Sequence, residues 1–408
     1  MRRAVLCAAL TVTLMPSHAR AQSLMLTEAD ALARLSNDSS RVRAIRAGID
    51  IARVDVLAAG RWPNPTFTVD RESVAGVTEY LTMVAQPLPI SGRRALDVQA
   101  ASARVSATSS RADDEVRRLR TDLRLAFADL VAAQTRVREL TAARDRLREL
   151  AGVLAKREAA GDAAGFDRLR ADREAFDLDT DLTIAVVDRA RAQSTLGGFF
   201  NDVIDSSQIV VTASAGTTAP VPALDALIER AESTRGELQA LRHETEAAGF
   251  AARAADRRLV PEPEIVAGSK SSTAIGGDIG SVVTVHASIP LFDRARPERA
   301  LAAARAAEAD SRAMAFRQVL RGQAAALRSV VLERRGAAER YRAQAVGSAA
   351  DIERIAQVSY DAGERGILEL LDAYRIGASA RVRQTTLDLA VRQAELELEF
   401  LTGWEASR

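Results

Sequence analysis

Two stretches of this sequence mirror each other and hold most of the residues whose types and spacing could do chemistry. Gly161–Asp172 reads GDAAGFDRLRAD, and Tyr360–Tyr374 reads YDAGERGILELLDAY. Each sets a glycine, an acidic residue and a few small or polar residues before an apolar–acidic helix start that ends in Leu-x-Ala. Gly161 lies under Gly363, Asp162 under Glu364, Leu169 under Leu371 and Ala171 under Ala373. The glycine lets one long helix stop and another begin, because it takes left-handed backbone without a Cβ penalty. The chemistry of such stretches is that of turns, hydrogen bonds and ion pairs.

Elsewhere the usual carriers of catalysis are sparse. His243 and His286 are far apart and have no cysteine near them, so no tetrahedral metal site is visible. Phosphate-cradling glycine loops and nucleophile elbows are missing. No enzyme, metal or cofactor reading survives. The formal net charge is +1, which leaves no footprint for nucleic acid. Arginine runs such as Arg117-Arg118 read as solvated helix faces and rim pairs, with a binding patch as the alternative.

The N-terminus has its own logic. Arg2 and Arg3 precede the apolar run Ala4–Met15, then Pro16 and the small-residue site Ala19-Arg20-Ala21. That order predicts a secretory signal peptide over 1–21; a buried N-terminal helix is the alternative. Cys7, the single cysteine, falls inside it and too early for a lipid anchor, which leaves a mature chain without thiols.

Helices must position the two turns. Aromatic residues are 4% of the 408, a composition that suits long helices better than a bulky core. Thr27-Glu-Ala-Asp30 starts a helix that the apolar spacing carries to about Gly60, and Pro63-Asn64-Pro65 stops it. Thr66–Ser73 and Glu79–Ile90 read as a hairpin about Ala75-Gly76. From Arg93 to Ala160 the sequence has no proline, which predicts one helix near ~100 Å long. Its period of about 3.5 implies a supercoiled neighbour. A further helix runs from Phe166 to about Leu196.

Then the pattern repeats at an offset of about 200 residues. Ala223–Leu259 answers the opening helix and Pro261-Glu262-Pro263 answers Pro63-Asn64-Pro65. The division is a first repeat over 22–198 (hairpin about 65–90, long helix about 93–160), an irregular connector over 199–222, and a second repeat over 223–408 (hairpin about 263–290, long helix about 297–362). The fold class is mainly α with a small β part: tandem-duplicated coiled-coil helices plus two hairpins.

Strands of about ten residues that alternate apolar with polar are long enough to cross a bilayer when tilted. Four strands cannot close a barrel, and open edges are not tolerated in lipid. The hairpins therefore read either as part of a barrel closed from several subunits or as a soluble β tip on a coiled coil. No apolar window after the N-terminus is long enough for a transmembrane helix.

The whole pattern resembles the TolC-like outer-membrane efflux factor family. The residues that carry the resemblance are Pro63-Asn-Pro65, Gln86-Pro-Leu88 with Gly92-Arg-Arg94, Ile289-Pro-Leu-Phe292, Tyr360-Asp-Ala-Gly363 and Leu371-Asp-Ala373. The order of the hairpin exits looks most like the heavy-metal-efflux branch. The resemblance implies a homotrimer with a transmembrane β-barrel in the outer membrane lipid and a helical tunnel in the periplasm. It implies an exit duct for a tripartite pump, docked to a periplasmic membrane-fusion adaptor and an inner-membrane transporter, most like the RND type. The rival reading is a secreted periplasmic coiled-coil interaction or adaptor protein without a pore.

The resemblance also gives the tip residues roles. Tyr360 and Arg365 fall on latch positions of the second turn and Asp167 on the acidic latch position of the first. Glu369 and Asp372 match two acidic positions that face the lumen, where three copies would form carboxylate rings. Gly161, Gly363 and Gly366 fall where turn geometry and adaptor approach meet. The alternatives are a helix N-terminal acid at Asp167 that complements the dipole, surface turn residues at Tyr360 and Arg365, and solvated acids at Glu369 and Asp372.

Overall fold

The computed structural model describes residues 24–161, 165–201, 205–213, 219–274 and 276–406. The segment read as a signal peptide, with Cys7, lies outside them, as does Asp162.

The described chain opens on strand β1 (Leu24–Leu26) and the short helix α1 (Glu28–Arg34), which Thr27 and Asp30 start with a reciprocal capping box. The single helix expected from Thr27 to Gly60 is two. Leu35–Ser39 separates α1 from α2 (Ser40–Ala59). Ser36 causes the break locally: its Oγ accepts the Asp38 N–H and its carbonyl the Ser39 N–H, in place of helical bonds. The apolar spacing crosses the break because Leu32, Leu35 and Val42 all face one cluster.

Strands β2 (Thr66–Val74) and β3 (Val77–Pro87) follow, joined by Ala75 and Gly76, both at positive φ. Helix α3 (Arg93–Ala159) then runs 67 residues without interruption, about 100 Å. Helix α4 (Gly165–Gly197) returns along it. The connector read as irregular holds structure: Ile209–Val211 is strand β4, parallel to β1 with Leu24 opposite Ile209. Gln134 of α3 fastens it, exchanging two hydrogen bonds with the Val211 backbone at 3.0 Å each. A three-residue strand has no period of its own, and its partner lies in the other half of the sequence.

The second repeat holds α5 (Leu224–Thr234), α6 (Gly236–Asp256), β5 (Pro263–Ser272), β6 (Ile279–Ala287), α7 (Arg296–Tyr341), α8 (Gly347–Asp361) and α9 (Ile367–Thr402). Two expectations need correction here. The helix expected over Ala223–Leu259 breaks at Arg235, whose backbone is extended. The long helix expected over 297–362 is not uniform: a π-helical turn at Arg342–Val346 separates α7 from α8. Beyond the turn the buried positions are Ala349 and Ala356 while Ile352 and Ile355 are exposed, so apolar spacing and buried face part there.

Packing follows the lengths. Helices α2 and α4 stack end to end against α3, and α6 and α9 stack likewise against α7. At the first junction Asn201 Oδ1 accepts the Ser40 N–H at 3.0 Å, which satisfies one free donor of α2. Phe199, Phe200, Leu35, Leu123 and Leu130 fill the space below. Small residues let the two repeats approach: a Cβ on Gly236 of α6 would lie 2.1 Å from the Ser110 carbonyl oxygen of α3. Glu28 pins the seam, reaching Arg124 of α3 at 2.5 Å and Arg392 of α9 at 2.9 Å. Burial pushes the Glu28 carboxyl up, but Arg392 and Arg124 outweigh it and hold it below the ordinary carboxylate range.

The four long strands form one antiparallel sheet in the order β2-β3-β5-β6. The register sorts its faces. Phe67, Val69, Tyr80, Val84, Ile265, Ile279, Val283 and Val285 share one face, and all are exposed, Val283 by 74%. The other face carries Asp70, Glu72, Glu79, Lys270, Glu264 and His286, with Lys270 on Glu79 at 2.6 Å and His286 3.9 Å from Glu264. Strands β2 and β6 are edges without partners among the described residues. No helix among the described residues is long and apolar enough to cross a membrane.

Candidate functional site

The far ends of α3, α4, α8 and α9 converge on one apolar cluster. Leu147, Leu150 and Leu154 of α3 meet Ala171 of α4, Ala356 of α8, and Ile367, Leu370 and Leu371 of α9. This cluster holds the two turns side by side and leaves their polar residues at its rim.

Each turn closes on its glycine. Gly363, at φ 72°, ends α8 in a pair of reversed hydrogen bonds: its own N–H to the Tyr360 carbonyl and the Glu364 N–H to that of Ser359, at 3.0 and 2.9 Å. Gly161, at φ 81°, ends α3 with its N–H on the Glu158 carbonyl at 3.0 Å. Gly366 is extended rather than left-handed, with φ −80° and ψ 172°, and caps α9. Within α9's first turn stands Glu369, where a carboxylate complements the helix dipole.

The expected latch residues do not touch one another within the chain. Tyr360 packs on the apolar cluster and its hydroxyl accepts from Arg157 Nη1 at 3.2 Å. Arg365 is exposed and Asp167 half-buried, and neither has a side-chain partner among the described residues. Glu369 is likewise unpaired, whereas Asp372 pairs with Arg375 one turn on, at 2.7 Å.

Other groups fix the tip. Arg168 of α4 lies 2.6 Å from Glu158 of α3 and 2.9 Å from Asp172, and its hydrogen bond to Glu158 holds the guanidinium firmly charged. Tyr374 donates its hydroxyl to Gln357, whose amide donates to Asp361 at 2.9 Å. Burial pushes the Tyr374 phenol up. Farther from the turns, Glu353 bridges Arg146 of α3 at 3.1 Å and Arg381 of α9 at 2.9 Å. Gly377 makes room for it: a Cβ there would lie 1.4 Å from Glu353 Oε1. Sequence reasoning missed Arg157, Arg168 and Glu353. Arg168 and Asp172 carry a readable i, i+4 pairing on α4, but the partner of Arg157, and Arg146 among those of Glu353, lie across the repeats.

Among the described residues no three histidine, cysteine, aspartate or glutamate side chains gather closely enough to hold a metal ion. His243 stands beside Glu246 at 3.4 Å.

Comparison with known proteins is informative for the second repeat and for the whole fold. Residues 227–404 match the family of the outer membrane efflux protein. No curated protein matches the sequence. Solved structures match along nearly its full length. A membrane protein from Pseudomonas aeruginosa has a TM-score of 0.74 at 18% identity, over 92% of this chain and 92% of that one. CusC, described for its transmembrane channel formation, has a TM-score of 0.73 at 14% identity, over 93% and 92%. The open state of the Neisseria gonorrhoeae MtrE outer membrane channel has a TM-score of 0.72 at 15% identity, over 93% and 90%. The fold is thus that of outer-membrane channels, a mostly helical chain with a small β part. The likeness to CusC and to MtrE is equally strong and singles out no branch.

Proposed function

We propose that this chain, with an outer membrane efflux protein domain in its second repeat and a channel fold throughout, is the outer-membrane exit duct of a tripartite efflux pump. One observation carries the reading. A four-stranded sheet with two open edges, and with eight exposed apolar or aromatic side chains on one face, stands on a helix about 100 Å long. Open edges are not tolerated in lipid, and four strands are half of what the smallest membrane barrels use. Three copies close the sheet: three times four strands make one barrel, with β6 of one protomer beside β2 of its partner. The apolar face then meets lipid, and the face with Asp70, Glu79, Lys270 and His286 lines the passage. The helices enclose the periplasmic tunnel.

The tip becomes the gate of that tunnel. Asp167 and Arg365, unpaired within one chain, meet partners on neighbouring protomers, and Tyr360, steadied by Arg157, completes the latch. Arginine–carboxylate pairs at a wet tip are individually weak, about 1 kcal/mol each, which keeps the latch reversible. Glu369 is the stronger candidate for a lumenal carboxylate ring, because Asp372 already has Arg375. An adaptor docks at the turns of Gly161, Gly363 and Gly366, and beyond it stands an inner-membrane transporter of the RND type. The duct performs no catalytic step.

Single-channel conductance in planar bilayers tests the reading, with the wild type beside Tyr360→Phe/Arg365→Ser. The expected outcome is small, cation-selective steps that grow in the double variant. Equal, large steps in both would remove the latch and keep the duct. Inserted trimers that conduct in neither form would remove the duct.

A further inference from the structure

We propose that the cavity beneath the first hairpin binds the phosphodiester of a membrane glycerophospholipid. The inference rests on the duct reading, which puts the sheet in the outer membrane and so sets this cavity at the headgroups of the inner leaflet. The cavity measures about 600 Å³ and lies where α2 ends and α3 begins, lined by Arg61, Trp62, Arg93, Arg94, Asp97 and Glu262.

Its charges are unevenly satisfied. Glu262 accepts a hydrogen bond from the Ser91 hydroxyl and lies 3.7 Å from Arg93. Asp97 belongs to the same end: burial pushes its carboxyl up, and Arg93 is the first charge that opposes this. Arg94 is different. It is half-buried, its guanidinium stands 5.1 Å from the centre of the Trp62 ring, and one N–H donates to the Gly60 carbonyl at 2.7 Å. Among the described residues it has no carboxylate partner, and neither does exposed Arg61. Among the described residues the Gly60 carbonyl is the one hydrogen-bond acceptor of Arg94, which has five N–H donors. A cation partly withdrawn from water and left without a counter-ion calls for an anion, and the planar guanidinium suits two phosphate oxygens.

The surroundings select a lipid over a free ion. Trp62 is 57% exposed, directly below the first strand, and Ile90 is exposed at the exit of the second. An indole at this level is the side chain that sits between headgroup and acyl chain. A cationic floor under an apolar rim matches a phosphate that carries acyl chains. The second repeat supplies the contrast. At its junction Arg258 pairs with Glu298 and Arg299 lies 3.4 Å from Asp256; Pro297, the second residue of α7, stands where α3 has Arg94, and Val260 stands where the first repeat has Trp62. One site per chain follows.

Native mass spectrometry of the full-length trimer, titrated with palmitoyl-oleoyl phosphatidylglycerol, tests this. The wild type is expected to retain the lipid. Arg94→Gln is expected to weaken retention about tenfold or more, as loss of charge-assisted bonds does. Arg61→Gln, an exposed change that leaves the helix junction intact, is expected to weaken it in the same direction, and Arg299→Gln to leave it unchanged. Dioleoylglycerol, without phosphate, should not be retained, and inorganic phosphate should not displace the lipid. Equal retention in both variants overturns the inference. So does equal binding of dioleoylglycerol, which would mean an apolar groove, or displacement by inorganic phosphate, which would mean a free-anion site. A trimer that conducts but retains no phosphatidylglycerol removes this inference alone. A chain that does not insert removes the duct reading and this inference with it.

Discussion

The two repeats start their long helices in the same way with different residues. Gly92 precedes α3 at φ 77°, and Ala295 precedes α7 at φ 54°. Glycine takes left-handed backbone freely, whereas an alanine there costs about 1 kcal/mol or more. The long helices differ as well. α3 is continuous to its end, whereas its counterpart is interrupted by the π-helical turn between α7 and α8. The second residue of α3 is Arg94, without an acidic partner among the described residues; the second residue of α7 is Pro297, and near it Arg258 and Arg299 stand on Glu298 and Asp256. The tips, by contrast, close on equivalent glycines at nearly equal φ, 81° and 72°. The two halves share turns and lengths, which set the architecture, while charges and local backbone differ according to what each half touches.

That comparison can be broken most sharply at the seam between repeats. Gly236→Ala puts a Cβ against the Ser110 carbonyl, a backbone atom that cannot swing aside, and is expected to cost about 3 kcal/mol in chemical denaturation. Ser40→Ala, at the start of the corresponding helix of the first repeat, loses only its hydroxyl contact with Asn201 and is expected to cost about 1 kcal/mol. Equal costs would mean that the two helix junctions are built alike.

Next in size is Glu28→Gln, which removes the charge that joins Arg124 to Arg392, with an expected loss of about 2 kcal/mol at neutral pH. The sign of its pH dependence follows from the depressed carboxyl. Its contribution is present above the unfolded value, about 4.5, and is lost as pH falls through the lower folded value. The stability gap between wild type and Glu28→Gln should therefore shrink on acidification below about pH 4.5. A gap that stays constant with pH would contradict the pairing.

The smallest effect sharpens the opening contrast. Ala295→Gly is expected to stabilise the chain by up to about 1 kcal/mol and Gly92→Ala to destabilise it by about as much. Thermal melts followed by circular dichroism read both, and shifts of the same sign would contradict the equivalence of the two positions.

Much of this architecture is legible in the sequence because prolines and glycines act locally. Strand β2 begins directly after Pro65, and α8 ends two residues before Gly363. What escaped needed a partner. Ile209–Val211 is a strand only because Leu24–Leu26 lies beside it. The break at Leu35–Ser39 hides under apolar residues that face one cluster from both sides. At the tip, the resemblance named Tyr360, but its contact Arg157 belongs to the other repeat and has no local signature. Arg365 and Asp167 have no side-chain partner among the described residues; on the proposed duct reading their partners lie on other copies.

Everything above the single chain depends on the sheet closing with its copies. Electron cryomicroscopy of the protein purified in detergent measures that directly. The expected result is a threefold particle in which β6 of each protomer pairs with β2 of its partner in one closed barrel above a helical tunnel. A monomer that stays soluble without detergent, with β2 and β6 still unpaired, would contradict it.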